Sequence, residues 1–121
     1  MDSRVLFEIS GDGDFEVYDF ASHPAVAGVS RLVTNWGGSL QVSAPATTLV
    51  TSPSNVYRDL NDNYSYDVGE PTGPFALAAV YEQGLARFAA VSGAPFQDSA
   101  YEWRDNTPFM RALLRWLTGP R

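Results

Sequence analysis

Cysteine is absent from the chain, which excludes disulfides, thiolate metal sites and a cysteine nucleophile. Lysine is absent too. The 8 basic residues are all arginines: Arg4, Arg31, Arg58, Arg87, Arg104, Arg111, Arg115 and Arg121. They are scattered and form no basic stripe, so a nucleic-acid partner is not expected. His23 is the only histidine, and no serine sits in a G-x-S-x-G elbow, so the usual nucleophile–base pairs are missing. No apolar run is long enough to span a membrane, and no membrane partner is expected. The opening Met1-Asp2-Ser3 is not an apolar leader. The expectation is a piece of a longer secreted protein.

What is present is a globular composition. Hydrophobic residues make up 45% and charged residues 18% of 121 residues, enough for one domain, 1–121, with a modest core. The net charge of −6 suits solubility and cation binding.

The acid and amide groups concentrate in one stretch, Asp59 to Pro71. Oxygen-bearing side chains stand at Asp59, Asn61, Asn63, Ser65, Asp67 and Glu70, which are positions 1, 3, 5, 7, 9 and 12 counted from Asp59. Those are the ligand positions of a 12-residue calcium loop. Ca²⁺ is a hard cation that takes six to eight oxygens. A short loop supplies them by turning alternate residues inward and closing with a carboxylate. Glu70 is placed to be that closing, bidentate ligand, and Ser65 would give its carbonyl. The stretch resembles the calcium loops of EF-hands, dockerins and thrombospondin type 3 repeats. It departs from the EF-hand in having Tyr64 at position 6, where that loop has glycine, and in lacking flanking helices. Asp62 is out of register. The competing explanation is an acidic turn, since Asp, Asn, Ser and Gly favour turns for backbone reasons.

The remaining elements follow from pattern. Val5–Ile9 and Phe15–Phe20, around Gly11-Asp12-Gly13-Asp14, read as a hairpin. Residues 25–33 hold a short turn or helical segment after His23-Pro24. Ser39–Ser43 and Thr47–Thr51 read as short strands. Phe75–Tyr81 and Leu85–Val91 are the strongest apolar runs. The joint Glu82-Gln83-Gly84 makes them a hairpin, and their near-continuous apolarity predicts strands buried on both faces. Asn106 to Leu117 predicts a helix. Asn106 or Thr107 would cap it, and Pro108 fits its first turn. Phe109, Leu113, Trp116 and Leu117 form one apolar face, with Ala112 alongside; Arg111 and Arg115 lie outside. Gly119-Pro120 ends it.

The segment His23-Pro24-Ala25-Val26-Ala27-Gly28-Val29 resembles a turn of glutamine-amidotransferase-like domains of the uncharacterised bacterial type. The hairpin around Glu82-Gln83-Gly84, the loop 92–98 and the helix ending Leu113-Leu114-Arg115-Trp116-Leu117 resemble the C-terminal half of that family. The resemblance implies an α/β fold: a truncated three-layer, flavodoxin-like or GATase-like domain, with a small sheet, a β-hairpin and a C-terminal helix. It carries over no activity, because the family's cysteine and His–Glu pair have no counterpart here.

The leading expectation is a non-enzymatic, calcium-stabilised accessory or interaction domain of a secreted or cell-surface bacterial protein. Its partner would be a neighbouring domain, another protein or a glycan. A second reading is a fragment of a hydrolase, with Asp98, Glu102 and His23 as acid–base groups. A third is a carbohydrate-binding module using Tyr64, Tyr66, Tyr101 and Trp103.

Overall fold

The computed structural model describes residues 7–8, 15–34, 39–61, 63, 65–92 and 104–120. In chain order these form β1 (Phe7–Glu8), β2 (Phe15–Val17), β3 (Asp19–Phe20), a 3₁₀ turn (Pro24–Val26), β4 (Leu32–Thr34), β5 (Thr47–Thr51), β6 (Val56–Tyr57), β7 (Ala76–Gln83), β8 (Ala86–Val91) and α1 (Asn106–Thr118). The main sheet is antiparallel, in the order β3-β5-β7-β8. Two-stranded pairs lie outside it: β2 with β4, antiparallel, and β1 with β6, parallel.

β7 is the strand around which the others arrange. Leu77, Ala78, Ala79 and Val80 are all buried, and β5 and β8 flank it on both edges. The hairpin to β8 runs in register to Gln83↔Ala86 and closes through Gly84 and Leu85. Gly84 sits at φ +58°, the left-handed conformation that a two-residue hairpin turn requires. β7 therefore runs two residues past the expected Tyr81, and β8 begins one residue later, at Ala86. Only β7 is buried on both faces. Ala86, Phe88, Ala89 and Ala90 of β8 are exposed, so the apolar run Leu85–Val91 is not buried on both faces as expected.

β5 matches the expected Thr47–Thr51 strand, with one irregularity. Its register against β7 shifts between Thr48 and Val50, and consecutive Leu49 and Val50 are both buried. A bulge does this: it breaks the alternation of faces so that two neighbours can point into the core.

Two local expectations are corrected. The two N-terminal strands are not a hairpin with each other: β1 pairs with β6 and β2 pairs with β4. Residues 11–14, the expected turn, lie outside the described residues. Ser39–Ser43 is not a strand; it contributes a single bridge, Leu40↔Ala76. The expected small α/β domain with a β-hairpin and a C-terminal helix is present, but the described residues do not show its flavodoxin-like specifics. That fold is built on a mostly parallel sheet with helices on both faces, whereas the four-stranded sheet here is antiparallel and α1 is the one α-helix among the described residues.

The helix is where the apolar period placed it. Phe109, Ala112, Leu113 and Trp116 are buried, Leu117 is partly buried, and Arg111 and Arg115 face outward. Its buried face joins Val17, Val26, Leu32, Val50, Leu77 and Val80 in one core. Neither Asn106 nor Thr107 is the cap. Asp105 holds the N-cap position, yet its side chain makes no capping bond. Instead Asp105 Oδ2 accepts from Ser30 N (2.9 Å), Ser30 Oγ (3.1 Å) and Arg31 N (3.1 Å). Those donors hold its carboxyl below the usual carboxylate range. Asn106 is fully buried. Its Oδ1 accepts from Val33 N (3.1 Å), and its Nδ2 donates to Val33 O (2.9 Å). Asp105 and Asn106 thus clamp the start of α1 to residues 30–33, Asp105 to the segment entering β4 and Asn106 to β4 itself.

His23 closes the other side of the helix. It is the N-cap of the 3₁₀ turn, and its Nδ1 accepts from Ala25 N at 3.1 Å. Its ring meets Trp116 edge-on, with centroids 5.2 Å apart. An imidazole that accepts at Nδ1 carries its proton on Nε2. Burial favours this neutral form and lowers the pKa below 6.5, with Glu82 opposing and Arg87 assisting.

Two outcomes are expected. Asn106→Ala leaves both backbone groups of Val33 without that partner, at a cost of about 2–4 kcal/mol in a urea titration; a change under 0.5 kcal/mol would count against the clamp. For His23 the folded state prefers the neutral ring. Its contribution is complete above pH 6.5 and is lost as pH falls through that value towards the lower folded pKa. Unfolding free energy should therefore drop between pH 7 and 5.5, and His23→Gln should flatten that part of the profile.

Candidate metal centre

The calcium-like stretch hangs between two strands that hold its ends together. Gly73 N donates to Val56 O (2.6 Å), Tyr57 bridges Thr72, and Arg58 N donates to Pro71 O (2.9 Å). A little further on, Ser52 and Phe75 exchange two bonds: Ser52 N to Phe75 O, and Phe75 N to Ser52 Oγ, both 2.8 Å. The chain passes so close here that a Cβ on Gly73 would lie 2.4 Å from the carbonyl oxygen of Pro53. Glycine is needed at this point because of space.

Inside this clasp the side-chain oxygens turn onto the backbone of the loop. Asp59 Oδ1 accepts from Asn61 N and Asn63 N, both at a long 3.4 Å. Asn61 Oδ1 accepts from Asn63 N (3.3 Å), and Asn63 Oδ1 from Ser65 N (3.0 Å). This is a run of Asx turns, each side chain bonding two residues onward. Glu70 closes it. Its Oε2 accepts from Leu60 N and its Oε1 from Asp67 N, both at 2.7 Å. Gly69, at φ +98°, provides the left-handed step that turns Glu70 back inward.

The structure thus places all six expected positions on one closed loop, though not with equal roles. Asp59 and Glu70, the first and last, are buried; Asn61, Asn63 and Ser65 are exposed, and Asp67 is half-buried. Asp67 Oδ2 accepts from both Asn61 Nδ2 (3.0 Å) and Asn63 Nδ2 (2.6 Å). Asp62 and Tyr64 lie outside the described residues. Tyr66 packs edge-on against Tyr57 at 5.6 Å, so it supports the loop rather than offering a free ring face.

The expected convergence of these side chains is one around a bound ion. No group of three His, Cys, Asp or Glu among the described residues is gathered closely enough to hold a metal. Like charges repel at short range, and here asparagine amides stand beside Asp67 while backbone N–H groups engage Glu70 and Asp59.

Of the other candidates, Asp98, Tyr101, Glu102 and Trp103 lie outside the described residues. His23 caps a turn and joins no acid–base pair among the described residues. It does line a cleft of about 430 Å³ that sequence reasoning missed. Arg87 is central there. It reaches the Trp116 carbonyl through NH1 and the Pro120 carbonyl through NH2 (3.2 Å), and its guanidinium lies 5.0 Å from the centroid of the Trp116 ring. One arginine inside the apolar run Leu85–Val91 was the readable signal: a charge there needs a partner.

No family model and no curated protein matches the chain. Among solved structures it is similar to one described as the "mmIFT52 N-terminal domain", with a TM-score of 0.63 and 19% sequence identity. The match covers 87% of this chain and 44% of that chain, so the chain spans under half the length of the structure it matches. At that identity the likeness is one of fold. It corrects the glutamine-amidotransferase resemblance, because the fold neighbour is an intraflagellar transport domain. The expected extracellular or cell-surface location is likewise not kept, since the structure that shares this fold is an intraflagellar transport domain. The description of a secreted, GATase-like calcium-binding domain is therefore not kept, and no cluster of three His, Cys, Asp or Glu stands among the described residues. No helix among the described residues is long and apolar enough to cross a membrane.

Proposed function

We propose that this chain is a non-enzymatic interaction domain whose 59–70 loop takes up Ca²⁺ as a structural ion. One observation carries the reading: the two buried carboxylates of the loop, Asp59 and Glu70, stand at its first and last ligand positions and aim their oxygens into it. Buried carboxylates are costly unless their charge is met. Backbone N–H groups meet that charge in the loop as it stands, and a hard divalent cation would add to it. Asn61, Asn63 and Asp67 would supply further side-chain oxygens and Ser65 its carbonyl. Ion entry would require the two asparagine amides to release Asp67. That reorganisation, with three carboxylates in the set, places affinity at the weak end of calcium loops, about 10⁻⁴–10⁻³ M.

The interaction role has separate support. The described residues bring no nucleophile and base together, and the one histidine is engaged as a cap. The shared fold with the mmIFT52 N-terminal domain is compatible with a protein partner.

Melting curves in excess calcium and then in chelator test this. Calcium at a hundred times its Kd should stabilise the folded chain by about 2.7 kcal/mol. Magnesium should do less, because it demands shorter, octahedral ligation. Glu70→Ala should abolish most of the calcium effect. Identical melting of both proteins in both conditions, with no binding heat by calorimetry, would reduce the loop to an acidic turn.

A further inference from the structure

The cleft beside α1 shares no residue with the 59–70 loop. It is bounded by His23, Pro24 and Ala27 on one wall, by Glu82 and Arg87 of the hairpin, and by Ala112, Arg115 and Trp116 of the helix, with Gly119 and Pro120 at its end. About 430 Å³ is room for a side chain and its neighbour, at the low end of ligand pockets.

The charges in it are unequally used. Arg87 is committed to the Trp116 and Pro120 carbonyls and to the Trp116 ring, and its Nε lies 3.6 Å from Glu82 Oε1. Glu82 and Arg87 therefore answer one another inside the cleft. Arg115 has no ion-pair or hydrogen-bond partner for its side chain among the described residues, and it is exposed at the rim. His23 spends Nδ1 on Ala25 N, which leaves Nε2–H as a donor. The wall between these donors is apolar: Pro24, Ala27, Ala112 and Pro120.

We propose that this cleft docks an acidic side chain from an extended peptide segment of a protein partner. The peptide carboxylate pairs with Arg115 and accepts from His23 Nε2–H, and its apolar neighbour rests on Pro24, Ala27 and Pro120. Charge complementarity selects this occupant. The chain as a whole carries −6, which disfavours an acidic segment over the surface at large, whereas this cleft combines an arginine without an ion-pair partner among the described residues with an imidazole N–H donor and an apolar wall. The inference rests on the interaction-domain reading and names where the partner is held.

The single histidine makes the test specific, because its ring signals report on the cleft alone. A blocked pentapeptide with two glutamates around a phenylalanine is titrated into the calcium-loaded chain and followed by NMR. The His23 ring signal should move saturably. The same peptide with glutamines should bind at least tenfold more weakly. Arg115→Glu should lose at least tenfold, whereas Arg111→Glu, one turn earlier and outside the cleft, should stay within twofold. Both arginines are exposed, and unchanged melting of the variants confirms that they fold. A glutamine peptide that binds as well, a still His23 signal, or equal losses from Arg111→Glu and Arg115→Glu would overturn the proposal. So would N-acetylglutamate binding as tightly as the peptide, which would make the ligand a free carboxylate. A chain that keeps its calcium-dependent melting shift but ignores the peptide sinks the cleft alone.

Discussion

A strand buried on both faces can satisfy its backbone only through strands on both edges, and β7 imposes that constraint on the rest of the molecule. β5 meets one edge and β8 the other. The bulge in β5 follows from it, since two consecutive side chains turn inward there. The helix follows as well. One face of β7 and β8 presents apolar residues that need cover, and Phe109, Leu113 and Trp116 belong to the core that covers them. Even the 59–70 loop depends on β7, because the chain that closes the loop at Pro71–Gly73 runs straight into that strand.

The parts of this fold that were legible in the sequence are those decided locally. The Phe75–Val91 hairpin could be read from two apolar runs and a glycine at the turn, and α1 from the spacing of Phe109, Leu113, Trp116 and Leu117. Thr47–Thr51 could be read from β-branched residues next to Pro45. The errors were long-range choices. Whether β2 pairs with β1 or with β4 depends on residues far apart, and a Gly/Asp turn between two strands is silent about it. Asp105 and Asn106 show the same limit. Their types suit a helix cap, but the segment at Ser30–Val33 passes within hydrogen-bond reach and takes both. No local pattern announces that neighbour.

The candidate metal loop was legible to a different depth. Alternating oxygen-bearing residues put all six positions on one inward-turning loop. The pattern could not say that Asn61 and Asn63 would bond Asp67, because amides offer donors and acceptors alike. Likewise the acidic, lysine-free composition gave no compartment: the fold it accompanies also occurs in the mmIFT52 N-terminal domain. The cleft under Arg87 escaped notice because its walls come from three distant segments of chain.

Helix α1 is tied at both ends to different parts of the molecule. Asp105 and Asn106 fasten its start to residues 30–33, beside the two-stranded sheet, and Arg87 fastens its end to the edge of the four-stranded one. The helix is thereby a strut spanning two sheets that share no strand. Sheets joined only by apolar packing can slide over one another, since dispersion contacts have little directional preference. Hydrogen bonds at both ends of a rigid rod remove that freedom, and the small molecule keeps one alignment of its layers.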